Sequence, residues 1–180
     1  VPTAEVGLVA QRAVDFSRKL FAVNWDTGRG VRIARGDDGR QAQADAFDRG
    51  ALGAAAQLIG LAQQMIDVTV DYAKQREQFG RPIGSFEMIQ RKFASLAVDV
   101  YAADAAWMVT SGMVDRGGID FSLETAACKV YASELAFRAA CDAQQIAGGI
   151  GYSKDYPYEQ AVRDSRINLI FEGTNEILRA

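Results

Sequence analysis

Ser85-Phe86-Glu87-Met88-Ile89-Gln90-Arg91-Lys92-Phe93-Ala94-Ser95-Leu96-Ala97-Val98-Asp99-Val100-Tyr101-Ala102-Ala103-Asp104-Ala105-Ala106-Trp107 decides the fold class. Phe86, Ile89, Phe93, Leu96, Val100, Ala103 and Trp107 recur at steps of three and four, the period of a helix rather than a strand. Seven apolar positions on one seam point to helix-on-helix packing in a bundle. The spacing predicts a helix from about Ser85 to the Gly117-Gly118 stop. Upstream, Leu52, Ala55, Ile59, Ala62, Ile66, Val70 and Ala73 form a second seam, so a helix is expected from Phe47 to Gly80-Arg81-Pro82.

Downstream, Asp120 and Ser122 are N-cap candidates for a third helix. It is expected to run to about Ala147, to be Ala-rich on several faces and buried on more than one, and to break at Gly148-Gly149-Ile150-Gly151. After Pro157 a shorter helical stretch reaches Ile170, and Thr174 is placed to cap a last helix. The expected fold is mainly α, an up-down four-helix bundle over residues 47–180. Residues 1–46 differ in texture. Val14-Asp15-Phe16-Ser17 and Leu20-Phe21-Ala22-Val23-Asn24-Trp25 read as strand, Asp26-Thr27-Gly28-Arg29-Gly30 as a turn, and Arg35 to Arg40 as an exposed loop. One hairpin is marginal in water, so this part is expected to end a β domain whose other strands lie elsewhere.

The 180 residues carry 20 Lys plus Arg and 23 Asp plus Glu and contain no histidine. That absence removes Ser-His-Asp hydrolysis, the HExxH zinc site and every imidazole acid or base, leaving carboxylates, Tyr, Lys or a cofactor to carry chemistry. Cys128 and Cys141 fall in one expected helix, roughly 20 Å apart, too far to bridge. Without histidine they offer no structural zinc site, and no metal is expected. A slightly acidic balance without a basic stripe argues against nucleic acid, and no apolar run reaches the ~20 residues of a membrane span. Val1-Pro2-Thr3 resembles neither an initiator methionine nor a signal peptide, so the chain is expected to start inside a longer protein, in a bacterial cytoplasm or a mitochondrial matrix.

Three blocks raise this above an anonymous bundle: Tyr72-Ala73-Lys74-Gln75-Arg76-Glu77-Gln78-Phe79-Gly80-Arg81-Pro82-Ile83; Gln145-Ile146-Ala147-Gly148-Gly149-Ile150-Gly151-Tyr152; and Arg163-Asp164-Ser165-Arg166-Ile167 leading into Phe171-Glu172-Gly173-Thr174-Asn175-Glu176-Ile177-Leu178-Arg179. In order and spacing they resemble the C-terminal domain of acyl-CoA dehydrogenases, densely over residues 47–180 and more loosely from Val14 to Trp25, which is similar to the last strand of the family's middle β domain. The resemblance implies a four-helix bundle with FAD between subunits. It also implies α,β-dehydrogenation of an acyl-CoA thioester, in which a carboxylate takes the α-proton while the β-hydride goes to FAD. A weakly acidic α-proton demands a base in a dry pocket, and burial raises a carboxylate's pKa.

The base implied is Glu172; the alternative is a carboxylate just ahead of a helix start. Arg76 matches the family's arginine on the FAD pyrophosphate, a task for a planar charged fork, and is otherwise a solvated helix end. Phe79 matches an aromatic near the flavin, or else staples the first two helices. Gln145, Gly148 and Gly149 match the turn that approaches a neighbouring subunit's FAD, although a Gly-Gly helix stop is common by itself. Thr174 and Glu176 match further FAD contacts or simply cap a helix. Asp48 and Gly173 match substrate-side positions, Gly173 by letting the acyl chain or flavin approach closely. Tyr156-Pro157-Tyr158-Glu159 and an Arg163–Asp164 surface pair are read as scaffold, and Phe93, Trp107 and the methionines as core.

Two positions depart from the family pattern. Ala51 stands where an arginine is usual, and Glu87 where the usual residue is a glutamine that contacts FAD; an ionised glutamate cannot donate, so it must point away or pair with Arg91. They keep open a catalytically impaired partner or assembly subunit of a hetero-oligomer. Otherwise the resemblance implies a homo-oligomer, a dimer of dimers, passing electrons to an electron-transfer flavoprotein or to oxygen. A fragment lacking the family's other domains is expected to be inactive.

Overall fold

The computed structural model of the chain describes residues 6–15, 19–26, 28 and 30–180. The expectations at Phe16-Ser17, Thr27 and Arg29 lie outside them. The chain separates into two units, residues 1–46 and 47–180. In the first, β1 (Gly7–Gln11) pairs antiparallel with β2 (Leu20–Asn24), Val9 opposite Ala22. β2 is the strand expected at Leu20. β1 was not expected, because Gly7 and Ala10 dilute the strand signal of Leu8-Val9. Every residue of both strands is exposed.

The first helix corrects the expectation at both ends. Residues 36–40 form no loop: α1 spans Gly36–Gln75, with Asp37 and Asp38 in its first turn and Asp37 paired to Arg40. Acidic groups there suit the helix dipole, so the helix extends beyond the seam that packs it. It then stops at Gln75, before the Gly and Pro expected to end it. Residues 76–82 turn back as a small hairpin, β3 (Glu77–Gln78) against β4 (Arg81–Pro82), joined by Phe79-Gly80. Both linking residues have positive φ, 53° and 77°, as a two-residue hairpin connection requires.

The remaining helices are α2 (Glu87–Arg116), α3 (Ser122–Ala147), α4 (Tyr158–Arg166) and α5 (Asn175–Leu178). Gly117 and Gly148 end α2 and α3 in left-handed conformations, as expected of glycine at a helix stop. Neither N-cap candidate is the cap: Phe121 holds that position without a side-chain bond and Ser122 is the first helical residue, while Asp120, one residue further out, accepts from Ser122 N through Oδ1 at 3.0 Å, a bond that holds its carboxyl below the usual carboxylate range. The architecture is three long helices with α4 as a short fourth member, and the core joins both predicted seams to α3. α3 is buried on several faces through Ala132, Ala136, Ala139, Ala140 and Ala143.

Phe93 and Trp107 pack against the core, and Trp107 Nε1 donates to the Leu52 carbonyl at 3.0 Å. Met65 is core, but Met88 and Met108 are exposed, because each falls about a quarter turn to one side of α2's seam. At the scaffold turn, Tyr158 is fully buried and stacks on Tyr156. Arg163 makes its closest ion pair with Glu159, at 2.7 Å, rather than with Asp164. That choice is geometric, since a helix sets i and i+4 side chains face to face and i and i+1 apart.

Candidate active site

The sequence candidates gather into two clusters. At the first, the end of α1 and its hairpin meet the end of α3. Tyr72, Arg76, Gln78, Ile83, Ile146, Ala147, Gly148, Gly149 and Ile150 line a cleft of about 350 Å³. Two sequence blocks some seventy residues apart thus come together, and Arg76, Gly148 and Gly149 share one cavity. The helix-end position of Arg76 leaves its guanidinium exposed at the cleft. Gly148 sits at φ 65°, and a Cβ on Gly148 or Gly149 would meet nothing within 4 Å, so the backbone faces open space. An exposed guanidinium beside bare, exposed backbone suits the phosphates of a dinucleotide.

Phe79 stands nearby at the tip of the hairpin, 93% exposed, its ring edge-on to Phe86 at 6.2 Å. It touches the residue that caps α2, but most of the ring projects outward. Gln145 is exposed and does not line the cleft; its contribution there is a backbone carbonyl that accepts from Gly148 N. Neighbouring Gln144, missed in the sequence, braces the turn by donating to the Gly151 carbonyl at 3.2 Å.

The second cluster surrounds residues 171–176. Glu172 is exposed in this single chain, whereas the expectation was of a carboxylate tucked away from solvent. Its backbone is unusual. Among the described residues, Phe79 and Glu172 are the two non-glycine residues with positive φ, 53° and 56°. An L-residue with a Cβ pays about 1–2 kcal/mol for that conformation, and such outliers concentrate at functional sites. Gly173 follows at φ 82°, where an added Cβ would come within 3.1 Å of Leu178 Cδ2 and 3.2 Å of Phe47 Cζ. Its missing side chain is therefore explained by the turn and by packing inside the chain.

Thr174 is the N-cap of α5, its Oγ1 accepting from Ile177 N at 3.3 Å, as the capping alternative had it. Glu176 is exposed in the first turn of α5. Asp48, half-buried, follows the Phe47 that packs against Gly173. Ala51 is 1% exposed and brings no cation, and the guanidinium of Arg49 lies over the Phe121 ring. Glu87 opens α2, exposed and favourable to the helix dipole, with no ion pair to Arg91 among the described residues. The residue that sequence reasoning missed is Lys129, wholly buried beneath the turn. Its signal was available: it falls on the helical stripe of Thr125, Ala132, Ser133 and Ala136, where a lysine is out of place.

Phe47 and Tyr72, which mark the two clusters on α1, are separated by about 37 Å of helix at 1.5 Å per residue. Neither cluster uses a thiol: burial pushes both Cys128 and Cys141 upward in pKa. Among the described residues no group of three or more His, Cys, Asp or Glu side chains is placed to hold a metal ion, and no helix is long and apolar enough to cross a membrane.

Residues 37–180 match the family model described as acyl-CoA dehydrogenase, C-terminal domain. An acyl-CoA dehydrogenase of Bacillus subtilis is 45% identical over 130 residues, which is 72% of this chain and 34% of that protein. The chain thus spans about a third of the length of that curated relative. The butyryl-CoA dehydrogenase structure from Megasphaera elsdenii superimposes with a TM-score of 0.89 at 28% identity, covering 99% of this chain and 48% of that one. An acyl-CoA dehydrogenase from Bacillus anthracis in complex with FAD gives 0.85 at 27% identity, covering 98% and 34%.

Proposed function

The chain belongs to the acyl-CoA dehydrogenase family, and from that premise we propose that it supplies the C-terminal helical part of an FAD-dependent enzyme that dehydrogenates an acyl-CoA thioester between Cα and Cβ, with Glu172 as base. The observation that carries the assignment is the backbone of Glu172, held left-handed at φ 56° on a turn packed from beneath, with its carboxylate directed away from the core.

Glu172 takes the α-proton onto a carboxylate oxygen. FAD, when bound, supplies the acceptor for the hydride that leaves Cβ. A water-exposed carboxylate is a weak base, and excluding water strengthens it. Since this single chain leaves Glu172 exposed, the cover comes from the bound thioester and from protein brought against the turn in the assembled enzyme. Arg76, with the backbone of Gly148 and Gly149, would hold the phosphates, and Phe79 at the hairpin tip would abut the same ligand. Gln145 flanks that group through its backbone. Thr174 and Glu176 shape the start of α5 beside the base, and Asp48 and Gly173 line its substrate side.

As the family resemblance implies a cofactor shared between subunits, the Arg76 cluster of one copy and the Glu172 turn of another, which lie well apart along α1, complete a common site in a dimer of dimers. An electron-transfer flavoprotein is the proposed electron acceptor. A second reading rests on the missing cation at Ala51 and the carboxylate at Glu87: a partner or assembly subunit with impaired catalysis. Purifying the full-length polypeptide that carries this chain separates the two. The enzyme reading predicts a yellow protein, near one flavin per subunit, bleached anaerobically by members of an acyl-CoA panel. A colourless protein that still oligomerises supports the assembly subunit.

A further inference from the structure

Lys129 is the buried charge that the chemistry above leaves unused. It lies at 0% exposure on α3, and burying an ammonium is costly unless every donor finds a partner. A core in need of volume alone is filled as well by methionine. Its Nζ donates to the Gly173 carbonyl at 2.8 Å and to Asn175 Oδ1 at 3.1 Å. Asn175, itself buried, donates through Nδ2 to Ser133 Oγ at 2.9 Å, and Ser133 Oγ in turn reaches the Val130 carbonyl at 3.0 Å. One turn of α3 is thereby tied to the loop that carries Glu172.

That loop needs tying. Glu172 and Gly173 are consecutive left-handed residues, a conformation that glycine tolerates and glutamate resists. Phe47 and Leu178 close the space around Gly173 by packing, but packing is non-directional, whereas a hydrogen bond fixes where a carbonyl points. We propose that Lys129 is a positioning residue: anchored by Asn175 and Ser133, its ammonium grips the Gly173 carbonyl and so sets the backbone that aims the Glu172 carboxylate. The inference rests on the reading of Glu172 as base. The electrostatics agree with the geometry, since burial lowers the pKa of Lys129 while the carboxylates of Glu172 and Glu176 oppose that shift, so the ammonium is held beneath two acidic groups.

The test compares Lys129→Met with wild type in the full-length, FAD-loaded polypeptide, by amide hydrogen exchange and by steady-state kinetics. The reporters are the hydrogen-bonded amides flanking the turn, Phe171 N to Ile167 O and Leu178 N to Thr174 O. Exchange there is expected to quicken at least tenfold, with amides of α1 and α2 unchanged within twofold. kcat is expected to drop at least tenfold with KM for the thioester held within about threefold. Unchanged exchange at the turn, or a loss confined to KM, overturns the positioning role. Should Lys129→Met fail to fold, Ser133→Ala decides, because it loosens the anchor while keeping the ammonium. Selective quickening at Phe171 and Leu178 supports the inference, and uniform or absent quickening overturns it. Glu172→Gln keeps the failures apart: full turnover in that variant removes the base assignment, while the exchange result still reports on whether Lys129 holds the turn.

Discussion

The cleft at Arg76 and the turn at Glu172 are built by opposite means. The cleft is made of omission: glycines without side chains, a helix that stops early and a hairpin that turns outward leave backbone and a guanidinium facing open space. The Glu172 turn is made of support, with a buried ammonium, a buried amide and two apolar side chains beneath one exposed carboxylate. A concavity for a charged ligand needs room and donors. A base needs an aim, and aim is bought with buried hydrogen bonds.

The contrast predicts different failures at the two ends. The largest effect belongs to Glu172→Gln in the full-length polypeptide. Loss of a general base lowers kcat by about 10²- to 10⁴-fold, while FAD content, read from the visible spectrum, stays at the wild-type level. An equal loss of flavin and turnover would blur the two clusters into one. Next comes Arg76→Met, which removes hydrogen bonds from a charged donor, worth about 1.5–3 kcal/mol, or roughly 10- to 100-fold in FAD affinity. Fluorescence titration with FAD is expected to show that weakening, with kcat at saturating FAD within a few-fold of wild type. The smallest effect is on stability. Gly173→Ala places a Cβ at φ 82° against Phe47 and Leu178, and strain there costs about 1–3 kcal/mol in denaturant unfolding. Gly149→Ala, where a Cβ meets open space, is expected to fall within about 0.5 kcal/mol of wild type.

The two ends also differ in how far they could be read from sequence. Helical seams on α1 and α2 were legible because a 3.6-residue period reports directly on which side is buried, and Leu52 to Ala73 and Phe93 to Trp107 hold that side in the structure. Helix ends were less legible. Gly80 looked like a stop for α1, yet its positive φ serves a hairpin instead, because glycine marks any left-handed backbone and not helix termini alone. Similarly, Gly36 to Arg40 carries loop-like residues that become helix once their charges meet the dipole.

The cleft was half legible. Arg76, Gly148 and Gly149 stood out as motif residues, whereas Tyr72, Ile83 and Ile146 line it anonymously as apolar side chains. The exposure of Glu172 was not legible either, because a motif names the residue while its spacing says nothing about what covers it. Lys129 was visible as a charge on an apolar stripe but silent about its partner, since Gly173 and Asn175 lie more than forty residues away.

Mixing two differently defective chains tests most directly whether the clusters of different copies complete one site. Glu172→Gln and Arg76→Met polypeptides, carrying different affinity tags and co-expressed, are purified through both tags and assayed at limiting FAD. The account predicts that turnover returns, to about one working site in each mixed pair, because the intact Glu172 of one copy meets the intact Arg76 of the other. Mixed assemblies no more active than either variant alone would contradict it.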